Sequence, residues 1–264
     1  MIIDTHMHYG KIPYLYTYSD YIENQLRTMD ELEILYGFCG HTYNVCSSSF
    51  ELAEEDTADA YKRSDGRIMA FHFFDPRVTE RSLAFMEKHI DDPAYIGIKI
   101  HPSQCYTDAS DERFRACWEY AREHKLPIMS HTWDLSQTNF KQKYAHPTAF
   151  VKYLEEYPDV PFIMGHSGGR FNGIRHAVEI GKRYPQVYFD LAGDLQIAQL
   201  VEYLVNNIGD RRIFYASDFN MMDPRTTIGS VLGADIPTSS KERIFWDNAS
   251  EFFASKRDNE HLER

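Results

Sequence analysis

Two histidines one residue apart, His6 and His8, follow the first apolar run of the chain in the stretch Asp4-Thr5-His6-Met7-His8. Alternate residues of an extended strand project to the same side, so both imidazoles can reach one point and share a metal ion. A pair of this spacing is common by chance, so its meaning depends on what ends the other apolar runs. One run ends in Gly97-Ile98-Lys99-Ile100-His101-Pro102, another in Ser130-His131, a third in Gly165-His166-Ser167-Gly168-Gly169, and the last in Ser217-Asp218. Five runs therefore carry imidazole, amine or carboxylate at their C-terminal ends. Mixed His and Asp donors suit a borderline metal such as zinc, with manganese or iron as alternatives.

The elements that must position these groups come from the spacing of apolar residues. Runs rich in β-branched and aromatic side chains predict eight strands, at 1–4, 33–39, 67–74, 95–100, 127–130, 161–165, 187–191 and 212–217. Stretches with helical spacing lie between them: 111–124, where Phe114, Cys117, Trp118 and Ala121 share one face, and also 148–157, 174–184, 195–208 and, after the last strand, 239–254. Strand and helix alternate throughout, and no Gly-rich nucleotide loop follows the first strand, which predicts a (β/α)8 TIM barrel rather than an open doubly wound sheet. No composition shift marks a boundary, so residues 1–264 are expected to form a single domain. In such barrels the C-terminal ends of the strands carry the functional side chains.

Composition narrows the partners. The chain has 28 Lys and Arg against 40 Asp and Glu, a net charge of −12 without a concentrated basic face. Nucleic acid is therefore not an expected partner, because neutralising phosphates requires such a face. No apolar run approaches the roughly 20 residues that cross a bilayer, and no leader-like segment follows Met1, so a cytoplasmic protein acting on a small molecule is expected. The four cysteines, Cys39, Cys46, Cys105 and Cys117, have no metal-binding spacing and read as reduced packing residues.

Taken together, DTHMH, GIKIHP, MSH, MGHSGG and ASD, in this order and on these strands, resemble the amidohydrolase superfamily over nearly the whole chain. The branch they look most like is that of the metal-dependent hydrolases related to aminocarboxymuconate-semialdehyde decarboxylase. The resemblance implies that His6, His8, His131 and Asp218 approach the metal, with His166 as ligand or proton carrier. In binuclear members a lysine at the position of Lys99 is carbamylated and bridges two metals. A substrate-facing or salt-bridged amine is the alternative for this buried lysine. One Zn2+ ion is expected, with a second ion, Mn2+ or Fe2+ left open. Asp218 is expected to act as general base and proton carrier, and His166 to donate to a developing oxyanion or shuttle a proton. The segment FNMMDP after Asp218 departs from the aromatic–proline continuation of many relatives, so substrate contacts there do not transfer.

Three functions follow from these residues. The main one is hydrolysis of an amide, ester or lactone of a small molecule by metal-activated water. The alternative is non-oxidative decarboxylation of an aromatic or unsaturated carboxylic acid, and the third is a metal-binding barrel without catalysis. His72 and His101 read as hydrogen-bonded core or rim residues, and His41, His89, His124, His146, His176 and His261 receive no role. Gly168 and Gly169 read as a tight turn, Asp190 either as a partner of a site residue or as a cap, and Trp133, Tyr106 and Phe219 as pocket walls. Substrate choice is expected to reside in the loops at 13–21, 41–49 and 133–146. Many relatives are homo-oligomers, an expectation that rests on the resemblance.

Overall fold

The computed structural model describes residues 1–9, 21–40 and 49–254. Eight strands hydrogen-bond in chain order within one sheet. They are β1 (Ile2–Met7), β2 (Ile34–Cys39), β3 (Ile68–Phe74), β4 (Tyr95–Ile100), β5 (Ile128–His131), β6 (Phe162–Gly165), β7 (Val187–Asp190) and β8 (Ile213–Phe214). Neighbours pair in parallel, for example β1 with β2, β4 with β5 and β5 with β6. The helices are α1 (Tyr21–Glu31), α2 (Phe50–Arg63), α3 (Thr79–Lys88), α4 (Pro102–Cys105), α5 (Arg115–Glu123), α6 (Val151–Glu156), α7 (Asn172–Arg183), α8 (Leu200–Ile208), α9 (Pro224–Gly233), α10 (Thr238–Glu242) and α11 (Asn248–Ala254). This is the predicted (β/α)8 TIM-barrel class. Every residue of β1, β3, β5 and β6 is buried, which is why these strands read as continuous apolar runs instead of alternating ones.

Two compact units make up the chain. The first comprises Met1–Phe71, Asp91–Ile96 and Leu191–Arg264. Its core includes an edge-on aromatic cluster in which Phe253 of α11 meets Phe38 at 4.8 Å between ring centroids, and Phe252 meets Phe214 at 5.2 Å. The Asn248 amide donates to the Asp210 and Ile213 carbonyls at 2.6 and 2.8 Å, tying the start of α11 to β8.

The second unit comprises His72–Ile90 and Gly97–Asp190. Here the helical face predicted from Phe114, Cys117, Trp118 and Ala121 is fully buried, and the Trp118 ring stacks on Tyr153 at 5.5 Å and on Phe162 of β6 at 5.3 Å.

Several predicted boundaries shift, four of them with a structural consequence. β1 runs on to Met7, so His6 lies within the strand instead of after it. β8 keeps only Ile213 and Phe214 because the backbone beyond them bonds elsewhere: the Tyr215 N–H donates to the Ile244 carbonyl, and the Ser217 N–H to the Asp4 side chain. The segment predicted as helix from 195 becomes helical only at Leu200, after Gln199 at φ 61°. Leu195 is nevertheless buried, because apolar spacing reports which residues face the core and not the backbone path that brings them there. The helix predicted at 239–254 carries a π-helical turn, Arg243–Asp247, between α10 and α11.

Candidate metal centre

In the first unit, β1 and the segment after β8 bring His6, His8 and Asp218 together, all buried, with one ligand atom from each lying within 4.8 Å of the other two. The His8 Nε2 is 2.9 Å and the His6 Nε2 3.9 Å from the same carboxylate oxygen, Asp218 Oδ1. The pairing of these two chain segments fixes this approach: the Asp218 N–H donates to the His6 carbonyl at 2.8 Å, Thr5 donates to the Tyr215 carbonyl at 3.1 Å, and the His8 N–H bonds to the Phe219 carbonyl. Asp218 sits at φ 64°, a left-handed conformation that costs a non-glycine residue about 1–2 kcal/mol and turns its side chain toward the histidines.

The hydrogen bonds around His8 test whether a cation fits. The Gly40 carbonyl can only accept, so His8 Nδ1, 2.6 Å away, carries the hydrogen. In the neutral ring Nε2 then points a lone pair at a carboxylate oxygen 2.9 Å away. Two acceptors at that range need a positive charge between them, either a proton on Nε2 or a shared cation, and about 3 Å is also the separation of two donors that share one zinc-like ion. The donor set, two imidazoles and a carboxylate, thus fits a borderline divalent metal, and the Gly40 carbonyl supplies the outer hydrogen bond that holds a ligating imidazole in one tautomer.

Asp4 opens the DTHMH motif, and the structure gives it a role that its type and position alone do not. It is fully buried; its Oδ1 accepts from the Ser217 N–H at 3.0 Å and the His6 N–H at 3.3 Å, and its Oδ2 from the Ser217 hydroxyl at 2.5 Å. The same hydroxyl accepts from the Phe219 N–H at 3.0 Å. One carboxylate therefore fixes the residues on either side of Asp218 against β1. The available signal was the period of two, since Asp4, His6 and His8 share one face of the strand.

The second unit holds His166, His131 and Lys99. His166 and Ser167 both take positive φ, 64° and 49°, followed by Gly168 at 89° and Gly169 at 85°. A network fixes this turn: the His166 N–H donates to Asp190 Oδ1 at 2.7 Å, the Ser167 hydroxyl to the Asp190 carbonyl at 2.5 Å, the Gly168 N–H to Thr132 Oγ1 at 3.0 Å, and Thr132 Oγ1 to the Gly165 carbonyl at 2.6 Å. Asp190 is thus a partner of the His166 backbone and not a helix cap. A Cβ on Gly168 would stand 2.5 Å from the Gly173 carbonyl oxygen, and one on Gly169 2.8 Å from the Asp134 nitrogen, so both glycines serve close backbone approach.

His131 ends β5. Its Nε2 donates to the Gln142 side-chain carbonyl at 2.8 Å, which also accepts from Ser103 at 3.1 Å, and its ring lies parallel to His101 at 4.1 Å and to Trp133 at 5.7 Å. His166 meets His131 edge-on at 4.8 Å and Trp133 at 5.3 Å. The result is a layered platform of three flat rings with the His166 imidazole against its edge. His101, read as a rim residue, takes part in this stack while its Nδ1 accepts from the Gln104 N–H at 3.3 Å. Lys99 of β4 is buried at 1% exposure. Tyr106 is more than half exposed, with Lys141 Nζ 4.5 Å from its ring centre. His72 is a core residue, as expected; burial, with His89 adding to it, pushes its pKa down to about 3. Cys39, Cys105 and Cys117 are free and buried, and burial raises each thiol pKa. Cys46, His41, His261, residues 10–20 and residues 41–48 lie outside the described residues, and with them most of two of the three expected pocket loops.

The fold is a barrel that carries a candidate metal site of two histidines and one carboxylate. The family model for amidohydrolases matches residues 3–254, and the chain belongs to this family. No curated protein matches it. Among solved structures, an uncharacterised TIM-barrel protein from Bordetella bronchiseptica superposes with a TM-score of 0.74 at 15% identity over 89% of this chain and 83% of that one. The 2,6-dihydroxybenzoate decarboxylase from Rhizobium superposes at 0.71 and 14% identity over 97% of this chain and 100% of that one. A dihydroxybenzoic acid decarboxylase from Polaromonas, solved with manganese and the inhibitor 2-nitroresorcinol, gives 0.71 at 15% identity over 97% and 98%. Among the described residues no helix is long and apolar enough to cross a membrane.

Proposed function

We propose that this chain is a metal-dependent, non-oxidative decarboxylase of an aromatic carboxylic acid, with hydrolysis, the first expectation from sequence, as the displaced reading. The observation that carries the proposal is the His6–His8–Asp218 set, in which a carboxylate able to carry a proton shares one point with two imidazoles. Two of the structural neighbours act on dihydroxybenzoates, which supports an aromatic acid as the substrate class. The flat His101–His131–Trp133 stack is chemically suited to lie beside an aromatic ring.

His6, His8 and Asp218 would hold one divalent cation, zinc or manganese, and we assign His131, His166 and Lys99 to the same reaction from their places at strand ends. A divalent cation supplies, when bound, the positive charge that neutralises the substrate's oxygens as electrons flow into the ring. The remaining work belongs to side chains. Loss of carbon dioxide leaves an electron pair on a ring carbon, and that carbon must receive a proton. Asp218 is the assigned proton carrier: it takes from solvent the proton that the net reaction consumes and passes it to that carbon, its left-handed backbone directing the carboxyl toward the histidines. His166, fixed through its own N–H to Asp190, is the assigned second proton carrier. Lys99 and His131 are assigned to binding the acid, Lys99 by charge and His131 by a hydrogen-bonded, stacked ring.

Incubating the metal-loaded protein with a panel of hydroxybenzoates in 18O-water tests this directly. Carbon dioxide release with deuterium incorporation at the vacated ring carbon in heavy water is the expected result. Turnover of amide, ester or lactone substrates with 18O in the product, and none of the acids, would replace decarboxylation by hydrolysis.

A further inference from the structure

Away from these residues the second unit carries another convergence of metal-binding side chains. We propose that His146 and His176 form a separate binding site for a borderline divalent transition metal such as zinc or nickel, beside which Asp134 stands close enough to be recruited. His146 Nε2 lies 3.2 Å from His176 Nδ1. Two nitrogens bound to one tetrahedral ion at 2.0–2.1 Å are separated by about 3.3 Å, so the two rings already stand at the spacing of co-ligands. Asp134 Oδ1 is 4.0 Å from the same His146 nitrogen and accepts from the Leu135 N–H at 2.8 Å, so its second oxygen would reach an ion held there by a side-chain rotation.

Each donor is positioned by something other than the ion. The His146 Nδ1 pairs with the Thr148 hydroxyl at 2.8 Å, which turns Nε2 toward His176 and is the outer hydrogen bond that ligating imidazoles ordinarily have. His176 sits on α7 and is exposed, which leaves an entry path. Asp134 is held by the backbone: a Cβ at Gly169 would meet its nitrogen at 2.8 Å, and one at Gly173 its Cβ at 2.9 Å, so the segment after β5 is seated against the start of α7. Burial, and then His176, lower the His146 pKa, which keeps the ring in the neutral form that a metal requires. A hydrogen bond between two neutral rings also accounts for the 3.2 Å distance, and Asp134 Oδ1 accepts from the Leu135 N–H at 2.8 Å, so the ion count decides between the two readings. An ion here would link the segment carrying Trp133 to the helix that follows the His166 turn. The proposal uses none of the residues assigned to decarboxylation, so either can fail alone.

The test is a titration with Zn2+ and with Ni2+, followed by calorimetry and by elemental analysis after gel filtration. The expected result is two ions per wild-type chain, one in His146→Ala and one in His176→Ala, and about tenfold weaker binding of the second ion in Asp134→Asn. A His6→Ala/His8→Ala double variant should still retain one ion, which His146→Ala then removes. Circular dichroism checks that each variant is folded; if the double variant is not, the comparison of wild type with the two single histidine variants decides. An ion count unchanged by both single histidine substitutions would overturn the proposal.

Discussion

Replacing Asp4 with alanine is the perturbation with the largest consequence that the structure allows to be sized. Its fully buried carboxylate accepts two bonds of normal length or shorter from Ser217, at 2.5 and 3.0 Å, and a longer one from His6 at 3.3 Å. A hydrogen bond to a charged group contributes roughly 1.5–3 kcal/mol, so the two good bonds sum to about 3–6 kcal/mol. Removing the carboxylate also removes the cost of burying it, and bonds to one group are not additive, which brings the expected loss to about 3–4 kcal/mol. That is a large part of the roughly 5–15 kcal/mol that holds a domain of ordinary stability together. Asp4→Asn keeps one acceptor oxygen and should lose only about 1–2 kcal/mol. Urea unfolding followed by tryptophan fluorescence measures both. A second readout separates positioning from stability: in folded Asp4→Asn the metal affinity should fall by about 10-fold or more, because Asp4 fixes the residues flanking Asp218. Wild-type stability for Asp4→Ala, or wild-type metal retention in Asp4→Asn, would refute the reasoning.

The other expectations are narrower. Asp218→Asn, which keeps one ligand oxygen but cannot carry the proton, should lower turnover by orders of magnitude even at metal concentrations that refill the weakened site, checked by carbon dioxide release and elemental analysis on the same sample. Asp190→Ala leaves the buried His166 N–H without its acceptor and should cost about 1–3 kcal/mol in thermal unfolding, with turnover falling further than stability explains. Gly168→Ala sets a Cβ against the Gly173 carbonyl oxygen at φ 89° and should destabilise by about 3 kcal/mol, read from the urea midpoint. His72, held near pKa 3 in the fold against about 6.5 when unfolded, is neutral in the native state, so the unfolded chain binds the extra proton and stability falls as pH drops from about 6.5 toward 3. At pH 4.5 the loss from this group is about 3 kcal/mol, and His72→Leu should flatten the stability–pH curve between about pH 6 and 4.

Much of this protein was legible in its sequence because the relevant signals are local. The Phe114–Cys117–Trp118–Ala121 face follows from helical spacing alone, and it is buried as expected. Strands buried on both sides leave continuous apolar runs, so each of the eight could be counted, and the side chains at their ends, His6, His8, His131, His166 and Asp218, could be named. What the sequence could not fix was backbone direction where local preference loses to tertiary contacts. β8 ends after two residues because Ser217 bonds to Asp4, 213 positions away, and Asp218 and His166 adopt left-handed conformations, which Asp and His take more readily than most residues but which nothing local assigns to these two positions. The roles of Asp4 and Gln142 were hidden for the same reason, and that of Asp190 stayed open between a partner of a site residue and a cap. Each acts through a hydrogen bond to a residue distant in sequence, and such a bond leaves no periodic trace in the chain. The sequence determined which chemical groups reach the ends of the strands. Only the tertiary structure decided which of them share an atom's reach, because that depends on long-range backbone pairing and not on the order of residues within a strand.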